Sequence, residues 1–421
     1  MSQSILLRNC RYLITCDEAG RVIVRENTDV LVEDGVITSV GHNITPPSGC
    51  DRLRLENHVV LPGLVNAHTH AAMNVLRGYA DNEELHDWLA RVWEAEKKLS
   101  RDIVYKASLL ACYEMLLSGV TCFQDMYYYP EETVRACSSV GMRVRTGPLC
   151  GEGRSLSFPA ETPLFKPVVN IHSLYAVPLE TVLRCFEEAS RRGVDVHIHV
   201  SETRREVFEV RGKTGRFPVE LLGKLGVLGE NVVLVHLNWV TSWEADLIAE
   251  KNASVVVCPS SSMKLANSGF TPVYEFLKKN VRIGIGTDGA CSANRLDILG
   301  EMRQLVLLYR HNYWDTRVRA EHAFRMATLE GYRIMRFKAG VIKPGFEADI
   351  VAVSLRRPWM KPTKNPLSLL VYSSLPGDVD YVIVRGKVLL EPSSRENILW
   401  ETEELWRELE EDVETLWTQD V

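Results

Sequence analysis

Along this chain the spacing of apolar residues changes twice. Residues 1–60 alternate short apolar runs with turn residues: SILLRNCRYLITC, then TDVLVEDGVITSVG, then LRLENHVVLPG. The Glu33-Asp34-Gly35 step between two apolar runs is a hairpin signal, because Asp-Gly supplies the positive-φ positions of a tight turn. From about residue 61 near-continuous apolar runs alternate with helical patterns. The runs are Leu64–His68, Gly119–Asp125, Met142–Thr146, Val168–His172, Val194–His199, Val232–His236, Ser254–Cys258 and Val281–Thr287. Between them, segments such as 101–118, 179–192, 217–225 and 242–251 carry the helical period. Unbroken apolar strands are those buried on both faces of a parallel sheet. Eight of them with helical crossovers predict an α/β protein whose residues 61–339 close into a (β/α)8 TIM-type barrel. An open doubly wound sheet is the alternative, and the strand count disfavours it. After residue 340 short strands return, in GVIKPGFEADIVAVSL and VDYVIVRGKVLL. Segments 1–60 and 340–399 are therefore expected to form one small β-sandwich domain together. Residues 400–421 read as a C-terminal amphipathic helix with Leu405, Leu409, Val413 and Leu416 on one face, and Trp406 and Trp417 helping it dock.

Charge and composition narrow the function classes. The net charge of −6 argues against a nucleic-acid partner. It is concentrated at the end of the chain, where residues 401–421 hold nine acids and one Arg, the mark of a solvated helix. Ten cysteines are scattered without a C-x-x-C pair and are expected to be buried, separate thiols of a cytoplasmic protein. No stretch approaches the ~18 apolar residues of a membrane span, and the first twenty residues lack the pattern of a secretion signal.

The chemistry concentrates at the predicted strand ends. In LPGLVNAHTH, His68 and His70 are two residues apart, so on a strand both imidazoles point to one side. At the C-terminal end of a first barrel strand they would converge on the barrel mouth, where barrel active sites lie. Alone, H-x-H is a weak signal. His172, His199 and His236 end three further runs, however, and Asp288 follows the eighth. A buried Asp is expensive unless paired or bound to a metal. Imidazole and carboxylate donors together suit a divalent cation: zinc, Fe(II) or Mn.

Six segments resemble the amidohydrolase superfamily, and within it the branch of methylthioadenosine/S-adenosylhomocysteine deaminases, chlorohydrolases and related aminohydrolases. They are PGLVNAHTHAAMNVLRGYAD (62–81), HIHVSET (197–203), VVLVH (232–236), CPSSSMKLA (258–266), GIGTDGACSANRLDILGEM (284–302) and GVIKPGFEADIVAV (340–353). The resemblance implies that His68, His70, His199 and Asp288 hold one divalent metal, foremost zinc. His199 is preferred to His197 because it stands three residues before Glu202; His197 lies one layer deeper in the barrel. His236 and Asp288 are implied to manage the proton of the attacking water, and Glu202 to shuttle protons to a substrate ring nitrogen. Glu96 is implied to bind ribose hydroxyls, and His172 to contact substrate. A solvated carboxylate is the alternative for Glu96. Trp88 and Trp93 are candidates for the pocket mouth, with core packing as the alternative. No Lys ends the fourth run, which implies a mononuclear site.

The expected activity is hydrolytic deamination of an amino-substituted heterocycle: activated hydroxide attacks the ring carbon and ammonia leaves. The leading substrates are adenosine-type nucleosides such as methylthioadenosine, S-adenosylhomocysteine or adenosine. Triazine chlorohydrolase or aminohydrolase and guanine or cytosine deaminase are the runners-up, and a catalytically silent binding protein is the rival. A homodimer or higher homo-oligomer is expected, acting on small molecules away from nucleic acid and membrane. Three positions depart from the family pattern: Val257, Ser262 and Ala293. Arg143, Arg145 and Arg154 remain open as contacts to a substrate carboxylate or sugar.

Overall fold

The N-terminal alternation folds as five strands: β1 (Ser4–Cys16), β2 (Val22–Glu33), β3 (Val36–Gly41), β4 (Asp51–Arg54) and β5 (His58–Pro62). The β2–β3 hairpin turns at Asp34 and Gly35, whose φ angles of 48° and 81° are those a two-residue primed turn requires. A Cβ on Gly35 would also lie 2.7 Å from the Arg385 carbonyl oxygen, so glycine is needed for space as well as for φ. The computed structural model describes residues 4–17, 19–151, 156–267 and 269–418.

Eight strands follow: β6 (Leu64–Thr69), β7 (Val120–Asp125), β8 (Arg143–Thr146), β9 (Phe165–Ile171), β10 (Asp195–Val200), β11 (Val232–His236), β12 (Ser254–Val257) and β13 (Ile283–Ile285). They pair in parallel, in chain order. All eight are almost wholly buried, as unbroken apolar runs with helices outside demand. The eighth strand is shorter than its apolar run, because side chains take over the pairing at the closing seam. Asn66 of β6 accepts from Thr287 N at 3.0 Å and donates to Thr287 Oγ1 at 2.8 Å. Asp288 N then donates to the His68 carbonyl at 3.0 Å. Gly286 permits the approach, since a Cβ there would sit 2.6 Å from that carbonyl oxygen.

β14 (Ile350–Ser354), β15 (Val379–Val384) and β16 (Lys387–Leu390) return to the N-terminal strands. Together they make one mixed sheet in the order β16-β15-β14-β5-β1-β2-β3, with β4 also on β1. β1 is long enough to pair in parallel with β4 through Ile5–Arg8 and with β5 through Tyr12 and Leu13. Strand alternation divides this sheet into two faces. Leu13, Val60, Ile350, Ala352 and Ile383 belong to a core on one face of the sheet. Ile14, Val59, Leu61, Val351, Val353 and Val382 join the barrel's core.

The C-terminal helix runs from Arg395 to Trp417, starting earlier than its sequence pattern suggests. Leu409, Val413 and Leu416 are buried in a cluster with Ile103, Val104 and Ala107 of the helix Arg101–Leu117, on which the C-terminal helix mainly packs, and with Trp88, Leu89 and Val92 of the helix Leu85–Glu96. Leu405 is only half-buried. Trp406 and Trp417 are each 40% exposed, and Trp417 donates its indole N–H to the Val75 carbonyl at 3.0 Å.

One reading from the sequence is corrected here, and one left open is narrowed. The cysteines are not all separate thiols: Cys150 and Cys185 form a disulfide. The loop after β8 returns over the helix Leu179–Arg192 and brings the two Cα atoms to 6.2 Å, a tertiary contact that no local spacing encodes. Arg143 and Arg145 start their strand at the end of the barrel opposite the mouth, and both guanidinium groups are committed to protein partners. Arg143 binds Asp349 through Nε at 2.6 Å and a terminal nitrogen at 2.9 Å. Arg145 binds Asp195 at 2.6 Å and the Ile334 carbonyl at 2.5 Å. Arg154 lies outside the described residues.

The Arg143–Asp349 pair joins barrel to sheet, and Asp349 also accepts from Tyr332 OH at 2.5 Å and from Arg385 N at 2.9 Å. Both ions are fully buried, so removing one strands the other. Arg143→Ala is expected to cost about 3–5 kcal/mol of stability, read as a lower urea midpoint. An unchanged midpoint would show that barrel and sheet do not depend on this pair.

Candidate active site

The barrel strands deliver their polar ends to one cleft. His68 is in β6 and His70 just follows it; His172, His199 and His236 end or follow β9, β10 and β11. Asp288 follows β13 after the closing seam. His236 and Asp288 hold positive φ angles of 75° and 64°, a conformation that non-glycine residues adopt at a cost and that recurs at functional sites.

Asp288 is the centre of the arrangement. Its Oδ2 accepts from Ser261 Oγ at 2.6 Å and Ser292 Oγ at 2.9 Å. Its Oδ1 faces His70 Nε2 at 3.1 Å and His68 Nε2 at 3.3 Å. His199 Nε2 lies 3.1 Å from His68 Nε2. The far nitrogens of the first two rings are already engaged: His68 Nδ1 with His197 Nε2 at 2.9 Å, His70 Nδ1 with the Met126 carbonyl at 2.5 Å. That fixes each ring with Nε2 turned inward, as outer partners do for metal-binding imidazoles. One donor atom from each of His68, His199, His236 and Asp288 also falls within 4.8 Å of the others, so His236 borders the same space.

Burial sets the charge states. Desolvation pushes His199 well below the ordinary histidine range and His236 down to about 3, so both rings are neutral and keep lone pairs to offer. Burial works against ionising Asp288 too, but the imidazoles of His68 and His70 hold it well below the usual carboxylate range. The donor set fits a divalent cation: His68, His199 and His236 are pushed down by burial, Asp288 is ionised, and the proton that Asp288 draws onto His70, raised to about 9 against desolvation, holds the place a cation would take.

Glu202 is the second carboxyl group of the site, and burial raises it well above its ordinary value, with Asp288 adding repulsion. Asn267 donates to its Oε1 at 3.0 Å, and His236 Nε2 is 3.6 Å from the same oxygen. Its backbone is held by Glu206, whose carboxylate accepts from Ser201 N at 2.9 Å and Glu202 N at 2.8 Å. A neutral carboxyl and an ionised one thus stand beside the same four imidazoles, the separation that acid–base chemistry requires.

The cleft over this cluster holds about 590 Å³, open solvent included, within the range of small-molecule sites. Glu96, His172, Glu202, Trp88 and Trp93 all line it. Glu96 is buried, so the solvated alternative does not hold. Trp88 serves both core and cleft, and Trp93 packs edge-on to His172 at 5.5 Å between centroids. The helix Leu85–Glu96 adds Leu85, Leu89 and Val92 to the wall. Tyr127, Tyr128 and Tyr175 complete the lining and were missed in the sequence, although Tyr127 and Tyr128 closely follow the end of the second apolar run. Of the three departures, Ser262 hydrogen-bonds Asn238, which donates to the Glu202 carbonyl at 3.2 Å; Val257 is a buried end of β12, and Ala293 closes the short helix Ala290–Ala293.

Fold and site together define a barrel hydrolase with a metal-binding mouth. The sequence profile of the Amidohydrolase family matches residues 59–389, and the chain belongs to that family, whose members here are hydrolases of C–N bonds. It is 39% identical over 381 residues to the 5-methylthioadenosine/S-adenosylhomocysteine deaminase of Pyrococcus furiosus, covering 86% of this chain and 90% of that protein. It is 39% identical over 379 residues to the 5'-deoxyadenosine deaminase of Methanothermobacter thermautotrophicus, covering 86% and 88%. Among solved structures, a zinc-bound adenosine deaminase from Xanthomonas campestris superposes with a TM-score of 0.89 at 27% identity, covering 98% of this chain and 99% of that one. No helix among the described residues is long and apolar enough to cross a membrane.

Metal analysis of single variants separates the candidate ligands. His199→Ala and His70→Ala are each expected to lose most bound metal, and His236→Ala to retain it. Full metal in the His199 variant would remove that residue from the ligand set. Loss in the His236 variant with retention in the His70 variant would exchange their roles.

Proposed function

We propose that the protein deaminates an adenosine-type nucleoside, releasing ammonia. The observation that carries this reading is the buried, neutral Glu202 beside the ionised Asp288 in a cleft that also holds Glu96. The activities named for the P. furiosus and M. thermautotrophicus relatives support the same substrate class.

In this reading His68, His70, His199 and Asp288 hold one cation per chain, and zinc is favoured by the zinc-bound adenosine deaminase of the same fold. A cation held by these residues would supply Lewis acidity, lowering the pKa of a water from ~15.7 towards ~7. Asp288 and His236 would take up and hold the proton that water loses. The Asn267 hydrogen bond on Oε1 leaves Glu202 Oε2 to carry the acidic proton, which passes to the ring nitrogen beside the attacked carbon. Ammonia then leaves with a proton relayed by the two carboxyl groups. Glu96 and His172 contact the substrate away from the reacting carbon. The resemblance to the deaminase branch supports a cytoplasmic homo-oligomer.

The test is ammonia release by the metal-analysed protein from adenosine, methylthioadenosine, 5'-deoxyadenosine, S-adenosylhomocysteine, guanine, cytosine and simple triazines. Release from nucleosides ahead of free bases and triazines is expected; the reverse order would overturn the substrate class. Glu202→Gln is expected to keep its metal and to lose at least ~100-fold in turnover, the low end for a general acid–base group. Near-normal turnover would refute its role.

A further inference from the structure

Glu202 stands in the cleft because the chain leaves strand conformation one residue before it. Along β10 the side chains alternate: Val196, Ile198 and Val200 belong to the core shared with the outer helices, while His197 and His199 meet His68 inside the barrel. A strand continued through residue 202 would put Glu202 on the helix side with Val200, away from the cleft. Ser201 breaks the alternation with a φ of 54°. Only glycine adopts that left-handed conformation freely, since elsewhere Cβ crowds the following carbonyl. A serine there must be held by its surroundings, and this turn is buried.

The holding group is Glu206. Its two carboxylate oxygens accept from consecutive backbone N–H groups, Oε1 from Ser201 at 2.9 Å and Oε2 from Glu202 at 2.8 Å. Glu206 lies in the first turn of the helix Arg204–Thr214, which Thr203 caps by accepting from Glu206 N at 3.1 Å. In an ordinary capping box the acidic side chain returns to the N–H of the capping residue. Here it reaches one and two residues further back, across the turn itself, and the Thr203 N–H adds a third pull on the carboxyl. Glu206 is fully buried and has no ion-pair partner among the described residues, so these amides are what stabilises it. The carbonyls of the turn have other partners: that of Ser201 accepts from Trp239 N at 2.9 Å, that of Glu202 from Asn238 Nδ2 at 3.2 Å. The two N–H groups depend on Glu206.

We propose that Glu206 is a positioning residue for the acid–base group: its carboxylate holds the left-handed turn at Ser201 that swings Glu202 out of strand alternation and into the cleft. The proposal rests on the role given to Glu202 in the reading above. Glu206 lines neither the cleft nor the cation site, so its effect on turnover passes through Glu202. A glutamine at 206 would keep the shape but offer one oxygen. Its NH2 group would face one of the two buried N–H groups and leave that donor unpaired.

The experiment measures kcat, KM and metal content for the wild type, Ser201→Gly, Glu206→Gln and the double variant, on the substrate of the panel above that is turned over fastest. Glu206→Gln is expected to lose about 10-fold or more in kcat, the value of one buried donor left unpaired, with KM within about 3-fold and metal unchanged. Glycine removes the cost of the left-handed turn. Ser201→Gly is therefore expected to change kcat by less than about 2-fold on its own, yet to recover about 5-fold or more in the Glu206→Gln background. A kcat retained in Glu206→Gln, or a loss that Ser201→Gly does not relieve, overturns the role of Glu206. Hydrogen exchange over residues 201–203, read by mass spectrometry, needs no substrate: it is expected to quicken about 10-fold or more in Glu206→Gln, and an unchanged rate overturns the proposal as well. Where Glu206→Gln does not fold with its metal, Glu206→Asp, which keeps the charge one methylene short, takes its place in the same comparison. Loss of metal or fold in both, unrelieved by Ser201→Gly, shows a glutamate that supports the barrel rather than the turn, and also overturns the proposal. The Glu202→Gln variant separates the two levels. Near-normal turnover there removes the reading of Glu202 and this proposal together; an inactive Glu202→Gln beside a fully active Glu206→Gln removes this proposal alone.

Discussion

A carboxylate in a dry barrel is the constraint around which this molecule is arranged. Asp288 is almost fully buried, and such a group is stable only if its charge is met on every side. The protein meets half of that demand with Ser261 and Ser292 on Oδ2 and leaves Oδ1 to the imidazoles. The same residue closes the fold, since its backbone N–H binds the His68 carbonyl across the seam between first and last barrel strands. Charge compensation and barrel closure therefore share a residue. A shift of the seam by one position would reverse which side chains face the mouth, dismantling the donor set.

The cluster is built on strands and the substrate wall on what connects them. Strand ends are held by two neighbours each, which gives the tolerance of a few tenths of an ångström that ligand geometry needs. The wall comes from the helix Leu85–Glu96, the segment after β7 and the loop after β8, which supplies Leu149 next to the disulfide-bonded Cys150. Loops vary without disturbing the scaffold. Water activation can accordingly be common to relatives with different substrates, while the wall decides what enters.

This division also explains what was legible in the sequence. The eight apolar runs, and the His and Asp residues that end or follow them, are local signals: a strand's burial and the side its residues face follow from a few consecutive positions. Most strand boundaries differ from the runs by only a few residues. Asn66 shows where local reading stops, because its partner Thr287 is more than two hundred residues away. The parallel pairing of β1 with both β4 and β5, the Cys150–Cys185 disulfide and the Arg143–Asp349 pair are likewise long-range. Whether Arg143 or Arg145 meets substrate stayed open in the sequence, because the partners that engage them, Asp349 and Asp195, lie far along the chain. Tyr127 and Asn267 were hidden for another reason: a tyrosine or asparagine has many uses, and only a place in the cleft wall or a bond to Glu202 gives it one.

The carboxyl groups of the cleft are graded by their surroundings. Asp288, faced by imidazoles, is ionised; Glu202, with one amide donor and a repelling neighbour, is driven to the neutral form; Glu96, among tyrosines, lies between at about 7. In the proposed reading each state suits a different demand: a fixed negative charge to bind a cation, a proton to give to a ring nitrogen, and a group able to donate or accept. Identical chemistry is thus made to serve three purposes by the number of donors within reach and by the exclusion of water. An amide in place of any one would keep the shape and lose the gradation, which is why geometry alone understates how tightly this cleft is specified.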